Sequence, residues 1–359
     1  MKKYALGIGF TSACNMNCNF CYSREKRHQS PELSHDTWKK FIDNNAPFID
    51  SINYGTGENA LSDEWFELVE YIGEGYDWIK QAVTTNGTLT KRCVESDRFY
   101  DITRRYIAEI DVSIDFCDEK RHDSIRRKKG AFQGAIDTLL FCKENNIQAT
   151  IVFLGVEETM NSENLKGLFS IARKYNSYLR MNLYRPVRDN TGYVPPSLDM
   201  VLRTLDWISA NEKIVSLSDP FFGATCTQNS IHGDPTGVRS ARITQDGKIY
   251  PSTYLLLPQY CIGHISDKNV LEQLDNNEII NRITKPVRPD ECCNCTLYKR
   301  CKSGAVDRRI LNKGSLNSCD PYCPGAFSKG SSLRIYEEDG EGFSSVHDKY
   351  LPTLFFAPK

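Results

Sequence analysis

The sequence has no large excess of charge of either sign: 45 Lys and Arg stand against 46 Asp and Glu, for a formal net charge of −1. Proteins dedicated to nucleic acids or anionic membranes hold those partners with an excess of basic charge, so we expect neither partner here. A long apolar run is also missing. The longest uncharged run, residues 249–266, is interrupted by Pro251 and Pro258 and does not match a membrane-spanning helix of about 20 apolar residues.

Cysteine, by contrast, is abundant, with 14 cysteines among the 359 residues. A chain of this length buries enough apolar surface to fold without covalent staples, so disulfides are not required for folding. The cysteine content is also below the roughly 8–10% that is typical of disulfide scaffolds. Unevenly spaced cysteine in such excess indicates metal or redox chemistry in a reducing compartment, and we therefore expect a cytoplasmic protein.

Short β-like runs alternate with helical stretches over the first 210 residues. The first helical stretch begins at Ser34, a good N-cap, and places Trp38, Phe41 and Ile42 on one face. Strand alternating with helix predicts βαβ units and a parallel sheet. Six units fit before about residue 211, fewer than the eight of a full barrel. The strand candidates lie at residues 5–10, 50–55, 79–87, 107–115, 148–155 and 178–184.

The sequence pattern changes after Ile214, and we divide the chain into a barrel of residues 1–211, a module of residues 212–330 and a tail of residues 331–359. Residues 240–252 are predicted to form a hairpin that turns at Asp246-Gly247, a common two-residue turn. Six cysteines fall between Cys292 and Cys323, which indicates a small metal-organised module. The sequence leaves open whether the apolar end of the tail docks as a strand or stays loose.

Three cysteines directly follow the first predicted strand: Cys14, Cys18 and Cys21. Three thiolates on one loop can hold a single iron–sulfur cluster, and since such clusters normally have four cysteine ligands, one iron would stay open. Catalytic metal sites keep an open position of this kind for substrate. The alternatives are a zinc site with His28 or His35 as the fourth ligand, or free thiols in a core.

The spacing C-x3-C-x-Φ-C, in which Phe20 is the aromatic residue Φ, resembles the signature of the radical S-adenosylmethionine (radical SAM) superfamily. The resemblance implies an α/β fold with a partial (β/α)6 barrel, a 4Fe–4S cluster on Cys14, Cys18 and Cys21, and S-adenosylmethionine (SAM) as cofactor. It also implies the reaction. An electron from the cluster splits SAM into methionine and a 5′-deoxyadenosyl radical, which removes a hydrogen atom from an unactivated C–H bond.

Agreement with this family continues at the ends of the next predicted strands. Gly57 and Glu58 stand where the family carries Gly-Gly-Glu-Pro, with Thr56 in place of the first Gly and Asn59 in place of Pro. In the family these strand ends hold the amino group, carboxylate and ribose of SAM, and a carboxylate can accept a charge-assisted hydrogen bond from an ammonium group. Arg126 resembles a family position near the SAM pocket. The resemblance thus implies ten SAM-binding candidates: Phe20, Tyr22, Thr56, Gly57, Glu58, Thr85, Asn86, Ser113, Asp115 and Arg126.

A second cysteine pattern lies near the C-terminus. The run C-x2-C-x5-C, followed by a cysteine in an Asp-Pro-x-Cys-Pro context, resembles the SPASM/twitch extension of radical SAM enzymes. Because that extension carries auxiliary iron–sulfur clusters, the resemblance implies metal ligation here as well. The four matching residues are Cys292, Cys295, Cys301 and Cys323.

Two cysteines of the full SPASM pattern are replaced, by Ser252 and Ala305, and both belong to the same auxiliary cluster in that family. The resemblance therefore implies one auxiliary 4Fe–4S cluster with four protein ligands, not two. From spacing alone a structural zinc site is equally compatible, and Cys319 is an alternative to Cys323 as the last ligand. Cys293 is expected to be a spare thiol, since its side chain would diverge from that of its neighbour.

Five further cysteines remain outside these patterns. Cys142 lies on the apolar side of a predicted helix, which favours core packing. Cys226 and Cys261 precede and follow the predicted hairpin. Each could be a thiol that donates a hydrogen atom to a substrate radical, a relic of the lost cluster, or an inert thiol, and we expect inert thiols.

Two groups of charged residues bear on the substrate. Residues 120–129 include six Lys and Arg, and against a net charge of −1 such a run indicates a solvated face and not a nucleic-acid site. Arg180, Asn182 and Arg185 alternate along and just after the sixth predicted strand. If they point into the barrel they can meet an anionic or peptide substrate, and if they point outward they are surface residues.

The leading hypothesis is a radical SAM enzyme that modifies a peptide by hydrogen abstraction, as crosslinking, thioether formation and epimerisation all begin. The SPASM-like module favours a peptide by family analogy. An argument against a peptide is that the first strand begins within ten residues, so we expect no leader-binding domain before it. The alternatives are a dehydrogenase or epimerase of a sugar-like natural product, and a non-catalytic, metal-stabilised binding protein. The expected partners are a peptide or small-molecule substrate and a low-potential electron donor of the flavodoxin or ferredoxin type.

Overall fold

The computed structural model describes residues 2–24, 27, 31–187, 191–228 and 233–359. Strands and helices alternate along most of the chain. The strands are β1 (Tyr4–Ile8), β2 (Ile49–Tyr54), β3 (Lys80–Thr85), β4 (Ile107–Ser113), β5 (Gln148–Gly155), β6 (Tyr178–Leu183), β7 (Lys213–Leu217), β8 (Ser240–Ile243), β9 (Lys248–Tyr250), β10 (Gly263–His264) and β11 (Leu354–Ala357). The helices are α1 (His35–Asn45), α2 (Asp63–Gly75), α3 (Thr88–Glu95), α4 (Asp97–Tyr106), α5 (Glu119–Arg126), α6 (Ala131–Asn145), α7 (Ser162–Tyr175), α8 (Leu198–Asn211), α9 (Pro220–Cys226), α10 (Val270–Gln273), α11 (Glu278–Thr284), α12 (Tyr298–Cys301), α13 (Val306–Lys313) and α14 (Val346–Tyr350).

One 11-stranded sheet organises the chain, in the order β10-β9-β8-β1-β2-β3-β4-β5-β6-β11-β7. Strands β1 to β6 are neighbours in sequence order and pair in parallel. Parallel neighbours need a crossover connection, which α1 to α7 supply. The α/β fold expected from the alternating pattern is therefore confirmed. The carboxyl ends of all six strands meet at one edge, which is where such folds bind ligands.

The helices bury the faces that the sequence pattern predicted. Trp38, Phe41 and Ile42 of α1 are all buried, and the Ser34 hydroxyl accepts a hydrogen bond of 3.3 Å from the Thr37 N–H at the start of the helix. The Cys142 thiol lies in the same core, on α6. Within the described ranges, the structure contains no helix with the length and apolar character needed to cross a bilayer.

Strands after residue 212 extend the same sheet. β8 pairs in parallel with β1 and antiparallel with β9, so the predicted hairpin is present. Its turn spans residues 244–247, longer than expected, because the Asp246 carboxylate accepts a hydrogen bond from the Thr244 hydroxyl and this local contact competes with strand pairing. Since β7 and β8 belong to the sheet that holds β1 to β6, the division of the chain at residues 211 and 212 stays a prediction.

The end of the tail docks as a strand. β11 lies between β6 and β7 and is antiparallel to both, with Phe355 opposite Arg180 on one side and Ser216 on the other. Helix α14 comes just before β11 and packs against β1, where Tyr350 contacts Ala5. The last residues of the chain therefore complete the sheet on one side and reach the strand that begins it.

Candidate active site

A cavity of about 220 Å³, the strand-end cavity, lies at the carboxyl ends of β1 to β6. The fold brings to it every residue that the sequence singles out for the N-terminal cluster and for SAM. A concave site with a few convergent polar groups is the usual form of a ligand pocket. The thirteen predicted residues on its wall are Cys14, Cys18, Phe20, Cys21, Tyr22, Thr56, Gly57, Glu58, Thr85, Asn86, Ser113, Asp115 and Arg126.

The cysteine loop follows β1 and carries its three thiols in an irregular backbone. Cys18 Sγ lies 3.8 Å from the backbone oxygen of Arg126, and Arg27 Nη2 lies 3.6 Å from Cys21 Sγ. Burial raises the pKa of the Cys14 and Cys18 thiols above their ordinary value. Because a buried thiolate needs a positive partner, these thiols are suited to ionise when a metal binds them.

The three thiols of this loop all line the strand-end cavity, as a shared metal site requires. Three thiolates can hold a cluster, or a single zinc ion with a fourth ligand. His35 does not line the strand-end cavity, and His28 lies outside the described residues.

Glu58 is a buried acid on the cavity wall, with 1% of its surface exposed, as is Asp115. Its carboxylate accepts hydrogen bonds of 2.8 Å from the Asn86 N–H and from the Thr85 hydroxyl. Burial raises the pKa of Glu58 to about 7, although these hydrogen bonds act in the opposite direction. A cation that enters the cavity would therefore favour the ionised form.

Asp115, which follows β4, and Arg126, the last residue of α5, form a buried ion pair, with Asp115 Oδ2 2.7 Å from Arg126 Nη2. The Leu154 N–H donates to Asp115 Oδ1 at 3.0 Å, and the Arg126 guanidinium lies 5.1 Å from the centre of the Phe20 ring. The run of basic residues at 120–129 is exposed as expected, except for Arg126. Arg126 faces inward because its helix, α5, packs beside the cysteine loop.

The segment before Glu58 packs against the cysteine loop and is hydrogen-bonded to it. Gly57 has a positive φ of 63°, and a Cβ there would lie 2.4 Å from the Ala13 backbone oxygen, so only glycine fits. The Glu58 N–H donates to the same oxygen at 2.7 Å. Thr56 has a positive φ of 87°, and its hydroxyl lies 2.9 Å from Tyr22 Oη. The chain departs from the family motif at Thr56 and at the buried Asn59, and Glu58 still lines the cavity.

A buried ion network lies where β4, β6 and α14 meet. Arg180 Nη2 and His347 Nδ1 lie 2.7 and 2.8 Å from Asp111 Oδ2. Glu109 accepts a hydrogen bond of 2.6 Å from the Ser345 hydroxyl. Burial by itself would raise the pKa of Asp111, but Arg180 and His347 hold it below its ordinary value. The carboxylates are thus neutralised by arginine and histidine within the fold.

The strand-end cavity also includes residues whose place the sequence left open or missed. Arg180, Asn182 and Arg185 all line it, so they point inward. Arg27 could have been predicted from the sequence, since it follows Cys21 by only six residues. The others come from segments remote in sequence, and spacing could not indicate them. The residues missed are Arg27, Arg242, Tyr254, His347 and Tyr350.

Comparison with protein families decides the identity of this fold. Residues 8–169 match the radical SAM superfamily, a segment that contains the cysteine loop, Glu58 and Asp115. The resemblance noted in the sequence is thereby confirmed for this segment, and the match to the radical SAM superfamily indicates an enzyme.

Relatives of this radical SAM chain extend over most of its length. The mycofactocin maturase MftC of Mycolicibacterium smegmatis is 24% identical over 326 residues, which cover 87% of this chain and 80% of that protein. The crystal structure of Streptococcus suis SuiB bound to the precursor peptide SuiA superposes with a TM-score of 0.70 at 16% identity, over 90% of this chain and 76% of SuiB. The structure of anSMEcpe with bound AdoMet and the Cp18Cys peptide gives a TM-score of 0.68 at 16% identity, over 89% and 93% of the two chains.

A second cavity of the radical SAM chain, the five-cysteine cavity, is lined by residues of the C-terminal cysteine run. Burial raises the pKa of the Cys323 thiol to about 11, and it raises the pKa of the Cys301 thiol well above its ordinary value. As at the N-terminal loop, buried thiols of this kind favour metal as the counter-charge. Cys293 is exposed and does not line the cavity. The five cysteines on its wall are Cys292, Cys295, Cys301, Cys319 and Cys323.

An ion network occupies the region next to Ala305, one of the two positions where a SPASM cysteine is replaced. Arg308 Nη2 lies 2.8 Å from Asp219 Oδ1 and 2.7 Å from Asp320 Oδ2, and the Ala305 N–H donates to Asp320 at 3.0 Å. Burial alone would raise the pKa of Asp219, but the Arg308 guanidinium holds it below its ordinary value. Asp320 also lines the five-cysteine cavity, so this network adjoins the thiols.

The two candidate hydrogen-donor thiols lie away from the strand-end cavity. Cys226 is fully buried in α9, with Thr225 Oγ1 3.5 Å from its sulfur. Cys261 Sγ lies 3.5 Å from the Gly263 backbone oxygen. Neither lines either cavity described above. The packing favours the expectation that these thiols are inert.

Proposed function

We propose that this enzyme abstracts a hydrogen atom from a peptide, as the first step of crosslinking, thioether formation or epimerisation. The observation that carries the proposal is the gathering of the three-cysteine loop and all ten SAM-binding candidates on one cavity. When bound, a 4Fe–4S cluster supplies the electron that splits SAM into methionine and a 5′-deoxyadenosyl radical, and this radical removes the hydrogen atom. The protein contributes ligands, orientation and shelter from water.

Cys14, Cys18 and Cys21 are the proposed ligands of that cluster. Within the described part of the chain no fourth cysteine lines the strand-end cavity, which leaves one iron without a protein ligand and available to SAM. Arg27, 3.6 Å from the Cys21 sulfur, offsets the negative charge of bound thiolates.

SAM binding follows from the charges on the cavity wall. Ionised Glu58 accepts a charge-assisted hydrogen bond from the α-ammonium of SAM. Arg126 presents a guanidinium from the other side, where Phe20 covers it. These opposite charges suit the zwitterionic methionine end of SAM. The remaining proposed SAM-binding residues are Tyr22, Thr56, Gly57, Thr85, Asn86, Ser113 and Asp115.

We further propose one auxiliary 4Fe–4S cluster in the five-cysteine cavity, held by four of its thiols. Cys292, Cys295, Cys301 and Cys323 match the SPASM pattern, and the cavity is lined otherwise by mainly apolar side chains. The ion network beside Ala305, where SPASM proteins place a ligand of their other auxiliary cluster, supports one cluster in this module.

A peptide is the proposed substrate class. Two of the relatives above are a maturase and an enzyme with a bound precursor peptide. Arg185 and Asn182 line the strand-end cavity at the end of β6 and offer hydrogen-bonding groups to a peptide backbone. A flavodoxin- or ferredoxin-type protein is the proposed electron donor. All 14 cysteines are free thiols, which supports a reducing, cytoplasmic location.

The decisive experiment uses the full chain purified without oxygen and reconstituted with iron and sulfide. With dithionite, it should consume SAM and release 5′-deoxyadenosine. Cys18→Ala should lose about four iron atoms per chain and all SAM cleavage, because a cluster with two remaining ligands is not retained. Cys142→Ala, which removes a thiol in the core, is the matched control and should keep both. Release of 5′-deoxyadenosine by Cys18→Ala without its iron would overturn the assignment.

The substrate class needs a separate test. Short peptides encoded beside this gene are the first candidates, and the reaction should raise 5′-deoxyadenosine release and change the peptide's mass. Deuterium introduced at the reacting carbon should appear in 5′-deoxyadenosine. Transfer from a sugar-like compound, with none from any peptide, would replace the peptide proposal and leave the radical SAM chemistry in place.

A further inference from the structure

Thr56 is in a backbone conformation that its side chain disfavours. Its φ of 87° is in the left-handed region, which glycine adopts freely and a β-branched residue adopts only at a cost. Thr56 is also the position at which this chain departs from the glycine of the family motif. Such conformations persist only where surrounding contacts hold them in place, so the contacts of Thr56 show what stabilises its backbone conformation.

Two side chains hold the Thr56 hydroxyl. Arg242 Nη2 hydrogen-bonds to Thr56 Oγ1 and also donates to the Gly55 backbone oxygen at 2.6 Å. Tyr22 Oη lies 2.9 Å from Thr56 Oγ1, and its ring packs edge-to-face on Tyr254, with centroids 5.8 Å apart. Arg242 lies on β8 and Tyr254 follows β9, so both come from the segment after residue 212.

Arg242 is a buried cation without a carboxylate partner among the described residues. It is 1% exposed, and in the described portion of the chain it forms no ion pair with a carboxylate. Arg126, Arg180 and Arg185, the other buried arginines of the strand-end cavity, each have an Asp partner. Gly9 leaves the space for it, since a Cβ there would lie 2.6 Å from Arg242 Nη2. Burying a guanidinium in this way is costly, and its hydrogen bonds go to the segment before Glu58.

We propose that Arg242 is a positioning residue that holds Thr56 in the left-handed conformation and thereby places Glu58 for the α-ammonium of SAM. The inference rests on the proposed function of Glu58. Gly57 packs against the Ala13 backbone oxygen, and the Glu58 N–H donates to the same oxygen, so both residues are held in place. The backbone conformation of Thr56 therefore decides how the chain passes from β2 to Gly57. Without Arg242, Thr56 would relax towards negative φ and carry Gly57 and Glu58 away from Thr85.

Substitutions of Thr56 test the inference with small changes in volume. Thr56→Val keeps the β-branch and removes the hydroxyl, and should weaken SAM binding by about tenfold. Thr56→Ser keeps the hydroxyl, and Thr56→Gly removes the need for it, so both should bind SAM more tightly than Thr56→Val does. The measurement is equilibrium dialysis of SAM against the anaerobically reconstituted full chain. If Thr56→Gly lost as much affinity as Thr56→Val, the hydroxyl would act through SAM and not through the backbone of Thr56, which would overturn the proposal.

A double-substitution cycle tests Arg242 itself. Arg242→Met should weaken SAM binding by about tenfold when Thr56 is present and by less than about threefold in the Thr56→Gly chain, because glycine needs no support there. Arg239→Met is the matched control, since Arg239 is exposed three residues earlier, and it should change nothing. Equal losses in both backgrounds would mean that Arg242 does not act through Thr56 and would overturn the proposal.

Hydrogen exchange of residues 55–61 in the SAM-free chain gives a readout independent of SAM. Exchange should be faster in Thr56→Val and in Arg242→Met, and it should return to normal in the chain that carries both Arg242→Met and Thr56→Gly. If the unsubstituted chain fails to bind SAM, the proposed function falls, while this exchange pattern still decides whether Arg242 holds the segment. Unchanged exchange in both single variants would contradict the inference, and the Thr56 series remains decisive if Arg242→Met does not fold.

Discussion

At the scale of single residues, Glu58 combines hydrogen bonds from the protein with nearly complete burial. Donors that include the Asn86 N–H and the Thr85 hydroxyl fix the direction of the carboxylate, while burial raises its pKa to about 7. Half of the SAM-free molecules would therefore carry a neutral Glu58 near neutral pH. Only the ionised form can accept a charge-assisted hydrogen bond from an ammonium group.

SAM binding should therefore strengthen with pH. Between about pH 6 and about pH 8 the ionised fraction of Glu58 rises about tenfold, and the affinity for SAM should rise by a similar factor. Glu58→Gln, which cannot ionise, should bind SAM weakly and remove this part of the pH dependence. Equilibrium dialysis across this range measures both. A pH profile shared by the two proteins would show that Glu58 is not the titrating group.

The same pKa predicts a stability difference of definite sign. Glu58 is protonated more readily in the folded chain, at about 7, than in the unfolded chain, at 4.5. Glu58 therefore lowers the free energy of unfolding as the pH rises from 4.5 to about 7, by about 3 kcal/mol in total. Above about pH 7 this contribution no longer changes with pH. Relative to Glu58→Gln, the SAM-free chain should lose that stability across this window. Urea unfolding of both chains at the two ends of the window measures the difference, and an opposite slope would contradict it.

At the scale of elements, the C-terminal cysteine run leaves one choice between neighbouring thiols. Cys319 and Cys323 both line the five-cysteine cavity, and Cys323 is the thiol that matches the SPASM pattern. Cys295→Ala and Cys323→Ala should each lower the iron content by about four atoms per chain while SAM cleavage without substrate continues. Cys319→Ala should keep its iron, as should the exposed control Cys293→Ala.

Iron analysis with electron paramagnetic resonance of the reduced chains distinguishes the two clusters. Loss of iron from Cys319→Ala and retention by Cys323→Ala would transfer the ligand role to Cys319. Zinc in place of the second set of four irons would replace the auxiliary cluster by a structural zinc site.

Strand β11 shows how the end of the chain stabilises the rest. Phe356 is fully buried between β6 and β7, which have no direct pairing with each other. Phe356→Ala should lower the free energy of unfolding by about 3–5 kcal/mol, as truncation of a buried aromatic does. Val194→Ala, at an apolar residue that is 71% exposed, should change it by less than about 0.5 kcal/mol. Similar urea midpoints for both variants would mean that β11 is not part of the cooperative unit.

At the scale of the whole molecule, Arg308 joins the start of α9 to the cysteine-rich segment. Asp219 caps α9, while Asp320 follows Cys319, so one guanidinium neutralises carboxylates from two distant parts of the chain. Removing a buried arginine leaves its partners as uncompensated charges, which costs more than the ion pair itself contributes.

Arg308→Met should therefore lower the stability of the chain by about 3–5 kcal/mol. The control is the same substitution at Arg334, whose partner Asp206 is also partly exposed, and it should cost less than about 1 kcal/mol. Urea unfolding of the metal-free chains measures both values. Equal effects at the two sites would contradict a special role for the buried network. Iron retention by reconstituted Arg308→Met then reports whether the network also shapes the five-cysteine cavity.

The sequence by itself determined the features that depend on local spacing. Cys14, Cys18 and Cys21 share one short loop, so their gathering needs only the turn of that loop. Glu58 and Asp115 directly follow predicted strands, and because parallel strands end at one edge, their convergence follows from the alternation of strand and helix. The α/β fold and the hairpin were accessible for the same reason, whereas the ten SAM-binding candidates in the strand-end cavity were indicated by the resemblance to a known family.

Only the tertiary structure decided which distant segments complete the site. Arg242 reaches Thr56 across just over half of the chain, and His347 reaches Asp111 because β11 enters the sheet between β6 and β7. Cys226, which sequence position alone left as a candidate, is turned into the core. Such contacts are set by sheet order and side-chain packing, which bring together residues that have no fixed spacing in sequence.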